Sequence, residues 1–261
     1  MTEQLHAATG GHEHSGRPVV VMIHGAGGNR SVWAGQARHL AARGLDVLAY
    51  DLPGHGLSAG KPHTTVEAYA DAVVADLDSR GVENFALVGH SLGSLIAIRI
   101  AASAPDRINK LALLGAGPEL AVNDDLLTAT ADDPATAIDA IIDWGHSQST
   151  HVGGGQAPGL WMDGTDTAIL RREVVDHPGT LHADFIASNS FDGGSLTDNI
   201  TAPTLIISGS ADLMASPKLG RALQEQINGS ELVWLEGCGH FMMTERPSEV
   251  CRLLATFLGG L

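Results

Sequence analysis

The chain of 261 residues is poor in basic residues, in aromatic residues and in cysteine. It carries 15 Lys and Arg against 30 Asp and Glu, a formal net charge of −15. Proteins that follow a nucleic-acid backbone or bind an anionic membrane need a basic surface, so this balance argues against both partners. Two cysteines, Cys238 and Cys251, cannot form a disulfide scaffold, which favours a reducing compartment and predicts a cytoplasmic location.

Long apolar runs are also missing. No stretch approaches the about 20 apolar residues of a membrane-spanning helix, and residues 1–17 lack the basic start and apolar run of a secretory signal. Hydrophobic residues make up 44% of the chain and charged residues 17%, which is typical of a globular protein. The length suits one large α/β domain or two small ones.

The acidic charge is concentrated in one segment. Residues 118–200 contain 14 acidic and two basic residues, a net charge of −12. The other 178 residues contain 16 acidic and 13 basic residues, a net charge of only −3. This uneven distribution indicates that residues 118–200 differ in role from the rest of the chain.

Short β-branched runs alternate with stretches of helical periodicity from Pro18 onward. We predict strands at 18–23, 45–50, 85–89, 110–115, 204–209 and 231–236, and helices at 31–43, 65–80, 92–104, 216–227 and 247–258. Because the strand runs are continuously apolar, they indicate strands buried on both faces of a mostly parallel sheet flanked by helices. Residues 1–17 are expected to form a flexible leader or a weak edge strand.

The alternation stops between residues 118 and 200. Helical patterns at 134–144, 166–176 and 180–188, separated by glycine-rich loops such as 153–155, predict a mostly helical insertion between two strands. The α/β core then comprises residues 18–117 and 201–261.

A G-x-S-x-G motif gives the first indication of chemistry. Gly89-His90-Ser91-Leu92-Gly93 follows a predicted buried strand and precedes a helix, which is the context of a nucleophile elbow. Ser91 is therefore the predicted nucleophile, with helix capping as its alternative role. A serine hydroxyl needs a base that a third group orients. Asp212 and His240 each follow a later predicted strand, and the order Ser, Asp, His is the one found with such an elbow.

On these motifs the chain resembles the α/β-hydrolase family in its capped, single-domain form. The matching segments, in the family's order, are HGAGGNRSVW (24–33), DLPGHGLS (51–58), GHSLG (89–93), PTLIISGSAD (203–212) and GCGHFMMTERPSEV (237–250). The resemblance implies Ser91 as nucleophile, His240 as general base and then acid, and Asp212 as the group that orients the imidazole. It also implies an oxyanion hole from the backbone N–H groups of Ala26 and Leu92, and no cofactor.

Other residues and other kinds of site are alternatives to these assignments. Glu119 follows an earlier strand and is the alternative triad acid. His24 and His55 are expected to hydrogen-bond to loops. Cys238 is expected to be structural. The HGAGG loop lacks the G-x-G-x-x-G spacing of a nucleotide site, and neither the leader pair His12 and His14 nor any other cluster predicts a metal site.

The insertion is expected to form a cap that selects the substrate. Candidate contacts are apolar or ring-bearing side chains: Trp144, Trp161, Met162, Phe185 and Phe191 in the cap, and Trp33, His90, Leu92, Met214, Phe241 and Met242 in the core. The acidic cap is hypothesised to disfavour anionic substrates, the alternative being a solvated face that aids solubility.

A serine nucleophile favours acyl transfer to water. The leading interpretation is a serine hydrolase (EC 3.1.1) that cleaves carboxylic esters of small or medium size, a small-molecule substrate with neither nucleic acid nor membrane involved. The alternatives are a lactonase, an amidase, or a carbon–carbon hydrolase of ring-cleavage diketones, whose dianionic substrates need an arginine in the pocket. A non-enzymatic receptor is a further alternative, against which the complete Ser/Asp/His set argues.

Overall fold

A seven-stranded, mostly parallel sheet lies at the centre of the computed structural model, which describes residues 4–11, 16–151 and 162–259. Its strands are β1 (Ala7–Ala8), β2 (Val19–Ile23), β3 (Asp46–Tyr50), β4 (Phe85–His90), β5 (Ile108–Leu114), β6 (Thr204–Gly209) and β7 (Glu231–Leu235). Their order is β1-β3-β2-β4-β5-β6-β7, and every neighbouring pair is parallel except β1 with β3. The predicted fold class is confirmed.

Helices cover both faces of this sheet. The α-helices among the described residues are α1 (Ala34–Ala41), α2 (Val66–Ser79), α3 (Leu92–Ser103), α4 (Asp124–Asp132), α5 (Pro134–Gly145), α6 (Gln148–His151), α7 (Met162–Asp176), α8 (Thr180–Ser190), α9 (Pro217–Gln226), α10 (Met242–Glu245) and α11 (Pro247–Leu258). In this described part of the chain, no helix has both the length and the apolar composition that crossing a membrane requires.

Strand β2 shows why the strand sequences are continuously apolar. Its five residues are all buried, but they alternate between two separate clusters. Val21 and Ile23 pack beneath α2 and α3, whereas Val20 and Met22 pack beneath α1 and α11. Because successive side chains point to opposite faces, a strand between two helical layers needs an apolar residue at every position.

The predicted leader contributes an edge strand. Ala7 and Ala8 of β1 pair antiparallel with Tyr50 and Ala49 of β3. The Leu5 N–H donates to Asp76 on α2 (2.9 Å), which fixes the start of this strand against the core. His12 and His14 lie outside the described residues.

Helices α4 to α8 all lie between β5 and β6, so the alternation of strands and helices is interrupted where the sequence predicts it. The helices at 134–145 and 180–190 match the predicted positions closely, whereas α4 and α6 were not predicted. Helix α4 begins after Asn123, whose side chain accepts a hydrogen bond from the Leu126 N–H (2.8 Å). The helix predicted at 31–43 begins instead with a 3-10 turn at Arg30–Trp33, because the Asn29 side chain accepts from the Ser31 N–H. The glycine run 153–155 lies outside the described residues.

Helix α3 approaches the end of β2 closely at Gly93. A Cβ atom there would lie 2.3 Å from the Ile23 carbonyl oxygen and 2.6 Å from that of His24. A Cβ atom on Gly89 would lie 2.2 Å from the carbonyl oxygen of Gly93. The two glycines of the G-x-S-x-G motif therefore allow α3 to begin directly against the sheet.

Replacing Gly93 by Ala is expected to destabilise the protein by at least about 2 kcal/mol, because the added methyl group meets backbone atoms that no rotamer change can move. Gly35→Ala is the matched control. Gly35 is an exposed residue of α1 with no atom within 4 Å of the added Cβ position, so alanine there should stabilise by up to about 1 kcal/mol through helix propensity. Urea unfolding measures both changes, and equal midpoints for the two variants would contradict the packing described here.

Candidate active site

Ser91 occupies a sharp turn between β4 and α3. Its backbone has φ +53° and ψ −120°, and among the described residues it is the one non-glycine residue with a positive φ. The Ser91 N–H donates to the Leu114 carbonyl on β5 (3.0 Å), and the Ser91 carbonyl accepts from the Ser94 N–H (2.8 Å). Such a backbone conformation costs about 1–3 kcal/mol and persists only where its surroundings hold it. Here β5 and α3 hold it from both sides.

His240 and Asp212 form a buried pair at the ends of β7 and β6. Nδ1 of His240 lies 2.8 Å from Oδ2 of Asp212, and Oδ1 of Asp212 accepts from the N–H groups of Met214 and Ala215 (2.8 Å each). A carboxylate can only accept, so Nδ1 carries the proton and Nε2 remains available as a base. Glu119, the alternative acid, is exposed, and the pair to His240 is made by Asp212.

The loop that carries His240 is held in place by the side chain of His90 and the carbonyl of Gly145. The carbonyl of His240 accepts from Nε2 of His90 (2.9 Å), and its N–H donates to the Gly145 carbonyl (2.6 Å). Burial lowers the pKa of His90 well below its usual value, so this ring stays neutral. A Cβ atom on Gly115 would lie 2.9 Å from the His240 ring, so glycine leaves room for the imidazole. His90 thus supports the histidine loop as well as lining the cavity beside Ser91.

The loop after β2 lies beside this site, and hydrogen bonds fix the peptide group before Ala26. The Gly25 carbonyl accepts from Nδ1 of His24 (2.8 Å) and from the Gly28 N–H (3.1 Å). Because the peptide bond is trans, the N–H of Ala26 points in the opposite direction from that carbonyl. The N–H of Leu92 lies in the first turn of α3, where the helix provides no acceptor. Ala26 and Ser91 line the same two cavities.

His24 and His55 join loops, and they differ in charge. His24 accepts from the Leu52 N–H through Nε2 (3.2 Å), and burial together with the nearby charge of His55 lowers its pKa to about 4. Both ring nitrogens of His55 face acceptors, the Pro53 carbonyl (3.1 Å) and Oδ2 of Asp184 (2.8 Å). Burial opposes a charge on His55, but the Asp184 carboxylate outweighs burial and raises the pKa of the ring. His55 is therefore the charged histidine of the two.

Asp184 is a site residue that the sequence reading missed. It lies on α8 of the insertion and is fully buried, and its Oδ2 also accepts from the Gly27 N–H (2.8 Å). Its Oδ1 accepts from the hydroxyl of Tyr69 (2.5 Å). The signal was a lone carboxylate inside the apolar stretch Leu181–Ala187, a position where burial requires partners. A second buried acid, Glu173 on α7, accepts from the Asn29 side chain (2.6 Å) and from the Gly56 N–H (3.0 Å).

Two cavities meet at Ser91. Both are lined by Ala26, Ser91, Phe185, Met214 and His240. The first is completed mainly by apolar side chains: Val32, Ile141, Ile169, Leu170, Phe241 and Met243. The second is completed by residues 120–123 and by Leu126, Trp144, Ser188, Leu213 and Ala215. The hydroxyl of Ser91 and the ring of His240 face this common space without a hydrogen bond between them, as is usual before a substrate binds.

Several residues predicted to contact substrate do not line either cavity. Trp33 is fully buried in the cluster beneath α1 and α11, and Met242 lies in the same cluster. Phe191 and the Leu92 side chain pack in the cluster beneath α2 and α3. Each of these side chains packs in a core cluster, and the substrate contacts predicted for them stay predictions. Among the residues predicted to contact substrate, those that line a cavity are His90, Trp144, Phe185, Met214 and Phe241. Trp161 and the side chain of Met162 lie outside the described residues.

One carboxylate lines the otherwise apolar first cavity. Asp166 on α7 is 2% exposed, and its Oδ2 lies 3.0 Å from Nε2 of His146, while its Oδ1 accepts from the Thr244 hydroxyl (3.1 Å). Burial raises the pKa of Asp166. No lysine or arginine belongs to the described lining of either cavity, and residues 152–161 contain none in the sequence.

Cys238 lies two residues before His240, but its thiol is not a reactive nucleophile. Burial, followed by the charge of Glu245, raises the pKa of its thiol far above neutrality, so the sulfur stays protonated. Cys238 packs in the core cluster beneath α1 and α11.

Comparison with known proteins places these features among hydrolases. A model of the alpha/beta hydrolase family matches residues 20–253. The pimeloyl-[acyl-carrier protein] methyl ester esterase of Neisseria meningitidis serogroup A is 29% identical over 248 residues, which cover 93% of this chain and 77% of that protein. A putative carbamate hydrolase, RutD, of Klebsiella pneumoniae is 28% identical over 86% of this chain and 85% of its own. The solved enol-lactonase from Burkholderia xenovorans LB400 matches with a TM-score of 0.85 at 26% identity, covering 97% of this chain and 96% of that one.

The charged pair of His55 and Asp184 is expected to make stability depend on pH. Because the folded-state pKa of His55 is raised, the pair's contribution is fully present below the unfolded pKa of about 6.5 and is lost as the pH rises through the raised value. The free energy of unfolding of the wild type minus that of His55→Gln should therefore shrink with increasing pH above about 6.5. His6→Gln, at a half-buried position outside the pair, is the control. A difference that stays constant from neutral to alkaline pH would show that His55 is neutral.

Proposed function

The chain belongs to the alpha/beta hydrolase family, and from that premise we propose that it is a serine hydrolase of carboxylic esters of small or medium size. The observation that carries the proposal is the hydrogen bond between His240 and Asp212, which orients a basic ring nitrogen into the cavity that Ser91 lines. A serine at a strained elbow beside such a base is the arrangement that nucleophilic acyl transfer needs.

The proposed reaction passes through an acyl-enzyme. Nε2 of His240 takes the proton of the Ser91 hydroxyl while Oγ attacks the ester carbonyl carbon, and the carbonyl oxygen becomes an oxyanion. The N–H groups of Ala26 and Leu92 bind that oxyanion, and each such donor contributes about 3–4 kcal/mol to transition-state stabilisation. Collapse expels the alcohol, which receives the proton from His240. Water, deprotonated by His240, then attacks the acyl group and releases the acid and Ser91.

The two cavities suit the two halves of an ester. One holds the acyl group and the other the alcohol, since both begin at Ser91. Their apolar linings favour neutral, apolar groups on both sides. Trp144, which is 38% exposed, and Leu213, which is 69% exposed, line the second cavity. This cavity therefore extends to the protein surface and suits the longer half of the substrate.

A carbon–carbon hydrolase of ring-cleavage diketones is disfavoured by the charge of the cavities. Its dianionic substrates need a cation, whereas the charged group in the described lining of the first cavity, besides the histidines, is the Asp166 carboxylate. A lactonase is the second candidate, because a lactone is a cyclic ester opened by the same steps. The similarity to a solved enol-lactonase over nearly the full length of both chains supports it.

We also propose that residues 118–200 act as a cap over the site, with residues 18–117 and 201–261 as the catalytic core. Helices α5, α7 and α8 contribute Ile141, Leu170 and Phe185 to the first cavity. The buried acids Glu173 and Asp184 attach these helices to the loops that follow β2 and β3. The insertion thus both covers the site and is anchored beside it.

Ser91→Ala is expected to abolish labelling by a fluorophosphonate and turnover of p-nitrophenyl esters, because the attacking oxygen is removed. His240→Ala should lower kcat by several orders of magnitude, with the residual rate coming from the oxyanion hole and binding. A chain-length panel of activated esters, one lactone and one diketone would identify the preferred substrate. Ester turnover that survives in Ser91→Ala would show that another group is the nucleophile.

Substrate charge tests the role of Asp166. A neutral ester should exceed its analogue with a terminal acyl carboxylate in kcat/KM, and Asp166→Asn should reduce that preference, because it removes the negative member of the Asp166–His146 pair that borders the cavity. Asp139→Asn is the matched control, because Asp139 is an exposed acid of the same insertion whose side chain is 63% accessible. If the preference is equally reduced in both variants and disappears with added salt, long-range repulsion by the acidic cap explains it instead.

A further inference from the structure

A carboxylate of the insertion lies directly against the loop that supplies an oxyanion-hole donor. Oδ2 of Asp184 accepts from the Gly27 N–H at 2.8 Å, one residue after Ala26. Helix α8 covers this loop so closely that a Cβ atom on Gly27 would lie 2.5 Å from a Leu181 methyl group. The loop therefore takes its shape partly from a segment outside the catalytic core.

Three hydrogen bonds fix the backbone on either side of Ala26. The peptide plane before Ala26 is held by the Gly25 carbonyl, which accepts from His24 and Gly28. The peptide plane after Ala26 contains the Gly27 N–H, which is held by Asp184. With both planes held, the dihedral angles of Ala26 have little freedom and its N–H keeps one direction. Gly27 has φ +63°, which glycine adopts without steric cost, and its N–H donates to Asp184 on α8.

The charge of the carboxylate does not work against an oxyanion, because a cation neutralises it. Nε2 of His55 lies 2.8 Å from the same Oδ2, and both groups are fully buried. Burial opposes a charged carboxyl group, but His55 and the hydrogen bonds from Tyr69 and Gly27 outweigh it and lower the pKa of Asp184. The pair thus provides a strong acceptor for the Gly27 N–H with no net charge.

We propose that Asp184 is a positioning residue for catalysis, which holds the Ala26 N–H in the direction of the developing oxyanion. The inference rests on the proposed serine hydrolase mechanism and adds a residue of the insertion to its machinery. Asp184 touches no reacting atom. It acts through the peptide unit that joins Ala26 to Gly27.

Three variants distinguish a role of Asp184 in positioning the Ala26 N–H from a role only in anchoring helix α8 to the core. Asp184→Ala removes the acceptor of the Gly27 N–H. Asp184→Asn keeps an acceptor there, because its amide oxygen can face Gly27 and His55 while its NH₂ group donates to the Tyr69 oxygen. Tyr69→Phe removes a hydrogen bond to Oδ1 of the same carboxylate but leaves the bond to Gly27 in place. All three are compared at a temperature where thermal melts show each to be folded.

Binding of two ketone inhibitors measures directly how well the oxyanion hole stabilises an oxyanion. An alkyl trifluoromethyl ketone adds to the serine and places an oxyanion in the hole, whereas the corresponding methyl ketone binds without forming one. Asp184→Ala should lower kcat for a p-nitrophenyl ester about 10²-fold with KM changed less than about threefold. The same variant should bind the trifluoromethyl ketone more weakly by a similar factor, and its affinity for the methyl ketone should not change. Asp184→Asn and Tyr69→Phe should each stay within about fivefold of the wild type in kcat.

The inference is overturned if Asp184→Ala lowers the melting temperature but matches Tyr69→Phe in kcat and in affinity for the trifluoromethyl ketone. If the alanine variant does not fold, Asp184→Ser replaces it, because the shorter serine side chain does not reach Gly27. The same comparison of kcat and inhibitor affinity with Tyr69→Phe then tests the positioning role. If Ser91→Ala retains turnover and binds the trifluoromethyl ketone as tightly as the wild type, the proposed function itself is wrong. Loss of both in Ser91→Ala with no specific effect of Asp184→Ala refutes the positioning role alone.

Discussion

The site depends on one close approach, where the start of α3 presses against the end of β2. Gly93 lies against the carbonyl groups of Ile23 and His24 because neither it nor Gly89 carries a side chain. This contact places the first turn of α3, which includes the Leu92 N–H, beside the loop that contains Ala26. It also holds Ser91 in a positive-φ conformation that an isolated turn would not keep. The nucleophile and both proposed oxyanion donors therefore derive from a single packing constraint.

The acidic insertion has a more specific role than its net charge indicates. Three of its acids, Asp166, Glu173 and Asp184, are buried. Glu173 and Asp184 accept hydrogen bonds from the loops after β2 and β3, and Asp166 lines the first cavity. Burying a carboxylate is unfavourable unless it is well partnered, so these contacts specify where the insertion sits on the core. The two hypotheses for the acidic charge, repulsion of anionic substrates over a long range and solubility, therefore apply only to the acids that remain exposed.

The sheet was predictable from the sequence because burial on two faces leaves an unmistakable continuous apolar pattern, as in β2. The placement of Ser91, Asp212 and His240 at one edge of the sheet was predictable as well, since each follows a strand and the ends of parallel strands meet at that edge. Side-chain direction was not predictable. Trp33 and Met242 have the composition expected of a pocket, but only tertiary packing shows that they point into the core. Asp184 escaped notice because its partners lie 115 to 157 residues away in the chain.

The central claim is that Ser91, His240 and the N–H groups of Ala26 and Leu92 form one acyl-transfer site. A crystal structure of the protein after reaction with an alkyl fluorophosphonate tests it most directly. The account predicts phosphorus bonded to Oγ of Ser91 and the phosphonyl oxygen about 2.7–3.1 Å from both N–H groups. The account also predicts that the alkyl chain lies in one of the two cavities. A phosphonyl group bonded to another residue, or an oxygen directed away from Ala26 and Leu92, would contradict it.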